Sequence, residues 1–446
     1  MRNAFMFETI LMTLPRSRLF WSVSFGHLII DMFNGMGPVL LAFLSGHILA
    51  MTNTQIGFAI SAYQLAGAVS QPFFGWLADR NGGRLIGVGG VTWTVGFLML
   101  SMLGATTGSY LFMLIPFVLA ALGSGAFHPV GTMHAAEAER TRTVSNLSIF
   151  FLMGQFGGGL GPAVIGVLLD SAATHNNDLF TAALGPAFYG ILGERGSISP
   201  VLALGIMAIP AVIAMFFTMP STREYIAGRI ERLSHAGPAE LSRRAILVLV
   251  ALVTLRSLAN PGSVSFLPRM FQLQGWSATE YGLVTSMFWF AGGFAGVFFS
   301  QIAERTGMRI VIVTTMVAAS VPIFLLPIIN GSMVFVLSLA AGALTGGSHT
   351  LIVAMSQRMM PKRKGLASGA SLGFIFGTGA LGTLVIGAVS DQIGLELTFQ
   401  LVGVITLLTG FLALALPDDR RQRPAQPAIE RTPAGSAVPE PAEVTA

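Results

Sequence analysis

The decapeptide GWLADRNGGR, Gly75–Arg84, carries three charged side chains and returns later in the chain as SQIAERTGMR, Ser300–Arg309. A shift of 225 residues superimposes the two copies and places Asp79 on Glu304. The same shift also matches one glycine and two arginines of each copy. A charged turn that recurs at half the chain length indicates a duplicated structural unit.

The sequence around both copies is strongly apolar. Hydrophobic residues make up 53% of the chain and charged residues only 10%, and the mean hydropathy is +0.72. In a soluble globular protein about a quarter of the residues are charged, so this composition predicts a membrane protein. Apolar stretches of about 20 residues, enough to cross a hydrocarbon core about 30 Å thick, recur twelve times. They cover residues 19–44, 55–76, 84–104, 108–134, 143–170, 198–218, 244–272, 279–303, 308–328, 332–357, 364–391 and 396–416.

These stretches predict an all-α polytopic fold, because an unbroken apolar segment satisfies its backbone groups in a bilayer only as a helix. Beyond the fourth stretch the repeat shift becomes 221 residues and pairs His128 with His349 and Asp170 with Asp391. Two pseudo-symmetric six-helix bundles follow from this repeat. The predicted parts are an N-terminal bundle over 1–218, a cytoplasmic linker over 219–243, a C-terminal bundle over 244–416 and a disordered cytoplasmic tail over 417–446.

Basic side chains are distributed unevenly over the connections. Of the 25 Lys and Arg residues, 22 lie in the even-numbered connections, including the linker, and in the two tails. Because such residues collect on the cytoplasmic side, both termini are expected in the cytoplasm and the chain in the inner membrane. This distribution accounts for the sequence pI of about 10.1, so no nucleic-acid partner is expected. The chain has no cysteine, which excludes disulfides and thiol chemistry.

The decapeptide resembles the hallmark cytoplasmic turn of the major facilitator superfamily, which has the form G-x-L-a-D-r-x-G-r-r. The resemblance implies a twelve-helix transporter in which this turn latches the two halves in the outward-facing state. Asp79 is then expected at the start of the eleventh helix, near Gly365–Ala367, and Glu304 at the start of the fifth, near Thr143, where the helix dipole favours an anion. A solvated loop charge is the alternative. The residues assigned to this conformational latch are Gly75, Asp79, Arg80, Gly82, Arg84, Glu304, Arg305, Gly307 and Arg309.

The fifth apolar stretch contains GQFGGGLGPAVIG (154–166), which resembles the antiporter motif of superfamily exporters. Gly157, Gly161, Pro162 and Gly166 stand at the motif positions. Small residues allow close helix packing, and a proline can kink a helix that moves during transport. The resemblance favours export, whereas ordinary glycine-rich packing of a membrane helix is the alternative.

Four further segments resemble the fosmidomycin-resistance family within this superfamily. They are HLIIDMFNG (27–35), GAFHP (125–129), LRS (255–257) and QRMMPKRKGLASGASLGF (357–374). This second resemblance covers both halves of the chain and implies efflux of a small drug-like compound.

Two charged side chains stand out inside apolar stretches, because a charge at the centre of a span costs about 2.5–3.5 kcal/mol on insertion scales and indicates function. They are Asp31 in the first stretch and Arg256 in the seventh, and the 225-residue shift pairs them. We predict that they attract one another in the empty protein and separate when an anionic ligand and a proton bind. A purely structural ion pair is the alternative.

The polar neighbours of these charges are candidates for the same site. His27 and Asn34 share one helix face with Asp31, and Asn260 lies one turn beyond Arg256. The segment NGMGP (34–38) is expected to interrupt the first helix beside the carboxylate. His128 is a candidate proton carrier because histidine titrates near neutrality, with a packing role as the alternative. The assigned proton-coupling and substrate residues are Asp31, Arg256, His27, Asn34, Asn260 and His128.

Other classes of protein fit the sequence less well. No P-loop occurs, so transport is expected to use an ion gradient or facilitated diffusion. An intramembrane enzyme would need a nucleophile with its base or a metal motif, and none is present, so we expect no catalytic residues, no metal and no cofactor. The expected partners are a small-molecule substrate, protons and the lipid bilayer, with the chain acting as a monomer. Proton-coupled uptake of a small organic anion remains the alternative to efflux, and a sensor without transport is a third possibility.

Overall fold

The computed structural model of the chain describes residues 15–138, 143–174, 204–221, 224, 243–359 and 364–416. These residues form helices and short turns, with no β-strand among them. The all-α fold predicted from the composition is therefore confirmed. Nine of the described helices are long and apolar enough to cross a membrane, and Leu204–Thr218 and Met333–Ser348 are shorter apolar helices.

The described residues contain twelve helical segments in the order of the twelve apolar stretches, and the seventh is split into two parts. They are α1 Arg18–Leu44, α2 Asn53–Asn81, α3 Arg84–Thr106, α4 Tyr110–Ala138, α5 Thr143–Thr174, α6 Ile209–Thr218, α7a Arg243–Ser257, α7b Ser263–Leu273, α8 Ala278–Thr306, α9 Met308–Leu325, α10 Met333–Met359, α11 Lys364–Ile393 and α12 Leu395–Leu412.

Matching capping boxes begin α2 and α8. The Thr52 side chain accepts from the backbone N–H of Gln55, whose side chain accepts from the N–H of Thr52. Ser277 and Glu280 make the same two contacts at the start of α8. Each box satisfies two of the backbone donors that a helix start leaves unpaired. The 225-residue shift maps one box onto the other, so the duplication extends to the way in which these helices begin.

The charged decapeptides end these same two helices. Gly82 follows α2 with φ +78°, and Gly307 follows α8 with φ +93°. A side chain would be strained at such angles, so glycine is required for the chain to leave the helix and begin the next one within a few residues. The glycine of the repeated turn therefore has a local structural role in both halves.

The seventh segment is broken and the first is not. A π-helical turn, Leu258–Gly262, separates α7a from α7b, and Asn260 within it is extended with φ −160° and ψ 121°. Asn260 precedes Pro261, and a residue before proline is disfavoured in the helical region. The predicted interruption of the first helix over 34–38 is wrong, because α1 runs through Pro38 to Leu44. Neighbouring helices commonly accommodate a proline within a membrane helix.

The helices form two bundles that contact one another. Within the first bundle α1 packs on α5 and α3 on α4, and within the second α8 packs on α10 and α9 on α12. Across the bundles α2 packs on α11 and α5 on α8. The predicted linker over 219–243 lies largely, and the tail over 417–446 wholly, outside the described residues, so these boundaries stay predictions.

Candidate functional site

Asp31 lies in a cluster with two histidines. The Nε2 atom of His27, one helical turn earlier on α1, is 3.2 Å from Asp31 Oδ2. The Nε2 atom of His128, on α4, is 3.2 Å from Asp31 Oδ1. The His27 side chain is 3% exposed, whereas those of Asp31 and His128 are each 24% exposed. We call His27, Asp31 and His128 the acidic cluster.

Backbone carbonyls orient both imidazole rings. Nδ1 of His27 lies 2.7 Å from the carbonyl oxygen of Phe150, and Nδ1 of His128 lies 2.7 Å from that of Ser124. Because a carbonyl only accepts, both Nδ1 atoms are donors. The Nε2 atoms are therefore where each ring gains or loses a proton, directly against the Asp31 carboxylate. The arrangement can hold protons between each ring and the carboxylate.

A polar second layer supports the acidic cluster. The Asn34 amide donates to Asp31 Oδ1 and to Ser124 Oγ, both at 3.0 Å, and it accepts from the Tyr63 hydroxyl. On the other side α5 comes close to the cluster, since a Cβ built on Gly154 would lie 2.7 Å from Asp31 Oδ2. Helices α1, α2, α4 and α5 together position the carboxylate.

The same three residues provide a donor set that a metal ion could use. Two imidazole nitrogens and a carboxylate oxygen lie within 4.8 Å of one another. Zinc usually takes four ligands, so the set falls one short of a structural site, as in catalytic zinc sites that keep an open position. The sequence predicts no metal site, and the effect of added metal ions on transport can test that prediction.

Arg256 is buried in the second bundle and is 2% exposed. Its Nε donates to Ser348 Oγ at 2.7 Å and its Nη2 to the Thr345 carbonyl at 2.9 Å, both on α10. Its Nη1 makes a longer contact of 3.4 Å with the Asn260 carbonyl in the α7 break, and the Asn260 amide donates to Thr345 Oγ1 at 3.2 Å. Within the described part of the chain, no carboxylate is paired with this guanidinium.

The predicted attraction between Asp31 and Arg256 is not realised as an ion pair in this structure. Asp31 is paired with the two histidines of its own bundle, and Arg256 bonds to hydroxyl and carbonyl groups of its own bundle. Each charge is therefore satisfied by polar groups of its own bundle.

The two charged sites occupy equivalent places in the two bundles. The 225-residue shift relates Asp31 to Arg256, and the 221-residue shift relates Ser124 on α4 to Thr345 on α10. The His128 equivalent, His349, lies outside the residues whose side chains are described. The duplicated framework therefore presents a titratable anionic site in one bundle and a cationic site in the other. No sequence signal marks Ser124 and Thr345 as site residues, although the 221-residue shift pairs them.

The side chains of the predicted latch are only partly described. Those of Asp79 and Glu304, and their expected partners near Thr143 and Gly365–Ala367, lie outside the described side chains, so this latch stays a prediction. A helix N-terminus remains a favourable place for such a carboxylate.

The second arginine of each decapeptide contacts its own bundle. Arg84 Nε donates to the Phe216 carbonyl at 2.6 Å near the end of α6, and Arg309 Nη1 contacts the Leu416 carbonyl at 3.4 Å beyond α12. Each turn is thereby anchored to the last helix of its half. The remaining arginines of the two turns, Arg80 and Arg305, are exposed.

The antiporter-like motif of α5 packs in two directions. Gly157 and Gly161 lie against the α1 backbone, whereas Pro162 and Gly166 lie against α8 in the other bundle. A side chain at any of the three glycines would meet a backbone carbonyl. The motif thus joins the helix that carries Asp31 to the contact between the bundles.

A sequence profile described as Major Facilitator Superfamily matches residues 23–175 and 249–442. The chain belongs to the major facilitator superfamily. Membership of this superfamily and the fold point to a transporter rather than an enzyme, and to a multi-pass membrane protein that handles a small molecule.

Curated relatives within the superfamily include efflux-related proteins. The chain is 25% identical to the "Fosmidomycin resistance protein" of Escherichia coli (strain K12) over 404 residues, covering 90% of this chain and 93% of the relative. It is 33% identical to the "Putative multidrug resistance protein MdtD" of Salmonella dublin over 117 residues, 26% of this chain and 24% of the relative. The resemblance to the fosmidomycin-resistance family expected from the sequence is therefore confirmed.

Solved structures confirm the superfamily fold. A bacterial homolog of the human lysosomal transporter Spinster, in an inward-facing and unoccupied conformation, superimposes with a TM-score of 0.70. The match covers 89% of this chain and 96% of that structure at 14% sequence identity. At this identity the likeness concerns the fold alone.

Proposed function

We propose that this protein exports a small compound with an anionic group in exchange for protons. The observation that carries the proposal is the pair of equivalent charged sites, one able to hold protons and one a buried cation with no carboxylate partner among the described residues. The proposal takes the chain to be a monomer in the inner membrane. Both termini are placed in the cytoplasm because Lys and Arg collect on that side.

The acidic cluster is proposed to carry the protons. Each Nε2 atom can hold a proton against one oxygen of Asp31, and the carbonyls at Nδ1 keep the rings in this orientation. His128 is the more exposed ring, so it is the first histidine that a proton from outside the cluster would reach. Loss of these protons leaves Asp31 with lone pairs facing it from both rings, which is unfavourable.

Arg256 is proposed to bind the anionic group. A buried guanidinium favours a counter-ion, and its planar fork matches a carboxylate or a phosphorus oxyacid. The 3.4 Å contact to the Asn260 carbonyl is the longest that Arg256 makes, so a ligand can displace it at the smallest cost. Broken helices at the middle of the membrane are common substrate sites in secondary transporters.

Exchange requires that substrate and protons exclude one another. A compound whose anionic group binds Arg256 and whose polar donor reaches Asp31 would take the place of the cluster's protons. Binding of the substrate then releases protons, and rebinding of protons releases the substrate. The relatives whose names refer to fosmidomycin resistance and multidrug resistance support the outward direction.

Proton-coupled uptake of an organic anion is the second candidate function. It is favoured by electrostatics, because a protonated cluster together with Arg256 carries more positive charge and attracts an anion. In that case protons and substrate bind together and move in the same direction. The two functions predict opposite effects of pH on substrate affinity. Acidification weakens substrate binding in an exchanger and strengthens it in a symporter.

Transport by everted membrane vesicles decides between the two candidates. Fosmidomycin, the compound after which the E. coli relative is named, is the first probe. With an imposed gradient that is acidic inside the vesicle, an exporter accumulates the probe and releases protons, whereas a symporter drives it out. Transport that is independent of the proton gradient would contradict both candidate functions. Strong activation of transport by added Zn²⁺ would instead favour a metal ion at the acidic cluster.

We predict that His128→Gln reduces the number of protons exchanged per substrate by about one, because glutamine offers no titratable nitrogen to Asp31. The substrate affinity at a pH where the cluster is deprotonated should change little. The reversal potential of transport, measured across a series of pH gradients in proteoliposomes, reports the stoichiometry directly.

His47→Gln is the matched control. His47 also places Nδ1 against the carbonyl four residues earlier, at 2.9 Å from Phe43, but it is exposed and has no carboxylate partner among the described residues. It should keep the stoichiometry of the parent. An unchanged stoichiometry in His128→Gln would remove His128 from the coupling machinery.

A further inference from the structure

The two bundles are joined at one end by two carboxylates that contact helix starts across the interface. This end lies opposite the start of α1 at Arg18 and the end of α12 at Leu412, and we call it the outer end. Asp391, near the end of α11, accepts from the N–H groups of Asn53 and Thr54 at 2.9 and 2.8 Å. Asp170, near the end of α5, accepts from those of Ala278 and Thr279 at 2.9 and 2.7 Å.

The two contacts are copies of one another. The 225-residue shift maps Asn53 and Thr54 onto Ala278 and Thr279, and the 221-residue shift maps Asp170 onto Asp391. In both cases each carboxylate oxygen takes one of the first two N–H groups of the helix. Such groups have no partner within the helix, so the capping box and the opposite bundle's carboxylate together satisfy the helix start.

Matching glycine contacts lie one turn deeper in the interface. A Cβ on Gly57 of α2 would lie 3.4 Å from the Cα of Gly387 of α11, and a Cβ on Gly282 of α8 would lie 3.4 Å from the Cα of Gly166 of α5. These small residues allow the backbones to approach closely enough for the carboxylates to reach the helix starts. The glycine pairs therefore allow the close approach of the two bundles that a closed outer end requires.

We infer that Asp170 and Asp391 are a pair of electrostatic latches that hold the outer end of the transporter closed. The capping boxes of Thr52 and Ser277 lie within single helices, so they do not depend on the relative position of the two bundles. The two carboxylate contacts join different bundles and are lost when the outer end opens. Of the two kinds of contact at these helix starts, the carboxylate contacts are therefore the ones that stabilise the outward-closed state relative to the outward-open state.

Arg269 adds a third contact across the outer end. Its Nε contacts Asn53 Oδ1 at 3.2 Å and its Nη2 contacts the Met51 carbonyl at 3.4 Å. The repeat places Leu44, an apolar residue, at the equivalent position of the first bundle. This reinforcement is therefore confined to the α2–α11 side, whereas the carboxylate latches occur on both sides.

The outer latches mirror the cytoplasmic latch that the superfamily resemblance implies. There, carboxylates at the ends of α2 and α8 are expected to face the starts of α11 and α5. At the outer end, carboxylates at the ends of α11 and α5 contact the starts of α2 and α8. The same four helices would then exchange one set of carboxylate contacts for the other as the cavity changes sides.

Distance measurements on spin-labelled protein test the outer latches. The chain has no cysteine, so Thr107→Cys and Asn330→Cys provide one exposed label in an outer turn of each bundle without further changes. In the parent we expect a dominant short distance. Asp170→Asn with Asp391→Asn should raise the ratio of long-distance to short-distance molecules roughly tenfold, because an amide offers one acceptor and no charge to two N–H groups.

Glu280→Gln is the matched control, because it removes a carboxylate from the same helix start whose contact stays within α8. It should leave the distance distribution unchanged. If the double variant does not purify as a folded monodisperse protein, Asp391→Asn alone replaces it and keeps the Asp170 latch. The ratio of long-distance to short-distance molecules should then rise about threefold. A parent-like distribution in the double variant, or in Asp391→Asn where only that variant purifies, overturns the inference. The measurement needs no substrate, so its result is independent of the transport activity.

Discussion

Asp31→Asn is expected to abolish accumulation driven by a proton gradient while equal-concentration exchange of substrate across the membrane continues. Asparagine keeps the shape of the side chain but removes the charged oxygens that face Nε2 of His27 and Nε2 of His128 at 3.2 Å. A coupled carrier gains about 2.3 kcal/mol per net charge per 100 mV, an accumulation ratio of roughly 50. The variant should show a ratio near one in proteoliposomes.

Two comparisons make the Asp31 result specific. Glu280→Gln also removes a carboxylate from a membrane helix, but its contact lies in a capping box at the outer end, so coupled accumulation should persist. Exchange by Asp31→Asn at parent-like rates would show that the protein is folded and binds substrate. Full gradient-driven accumulation by this variant would make the carboxylate structural and leave the histidines to carry the protons.

Arg256→Ala is expected to weaken binding of an anionic substrate by about 10- to 100-fold. Hydrogen bonds to a charged group contribute roughly 1.5–3 kcal/mol each, and the guanidinium is the buried cation of the proposed site. Arg256→Lys should restore binding only in part, because an ammonium lacks the planar fork. Binding is measured by the quenching of tryptophan fluorescence or by equilibrium dialysis of a labelled substrate.

Two further variants separate charge from position at Arg256. Ser348→Ala removes the 2.7 Å contact to Nε but keeps the guanidinium, so it should weaken binding less than Arg256→Ala does. Thr254→Val alters an exposed hydroxyl on the same helix, whose bond is to the Val250 carbonyl, and should have no effect. If Arg256→Ala binds anions as the parent does, the guanidinium serves the packing of α7 and α10 instead.

Much of the functional framework could be predicted from the repeat. The pairing of Asp31 with Arg256, of His128 with His349 and of Asp170 with Asp391 needs only two shifts of the sequence. Equivalent positions in duplicated halves take equivalent places in the bundles, so the two charged sites and the two outer latches are related before any contact is known. The shift does not say whether paired residues touch.

One prediction was wrong, and another is not met in this structure. The expected Asp31–Arg256 ion pair is absent in this structure because polar groups within each bundle satisfy each charge. The helix break occurs at Asn260 rather than over 34–38, because an asparagine before proline leaves the helical region whereas Pro38 is tolerated within α1.

The sequence by itself determined the class of fold and the composition of the sites. Apolar stretches of membrane-spanning length require helices, and a charge within such a stretch is costly enough to indicate function. These conclusions depend on local composition and on the spacing of residues along one helix, both of which can be read from a single chain.

Only the tertiary structure decided which groups meet across helices. Asp31 contacts His128 of α4. The backbone N–H groups of Asn53 and Ala278 donate to carboxylates more than 100 residues away in the sequence. A hydrogen bond is weakened when the distance between donor and acceptor changes by a few tenths of an ångström. The packing of the bundles sets these distances, and no local sequence pattern encodes them.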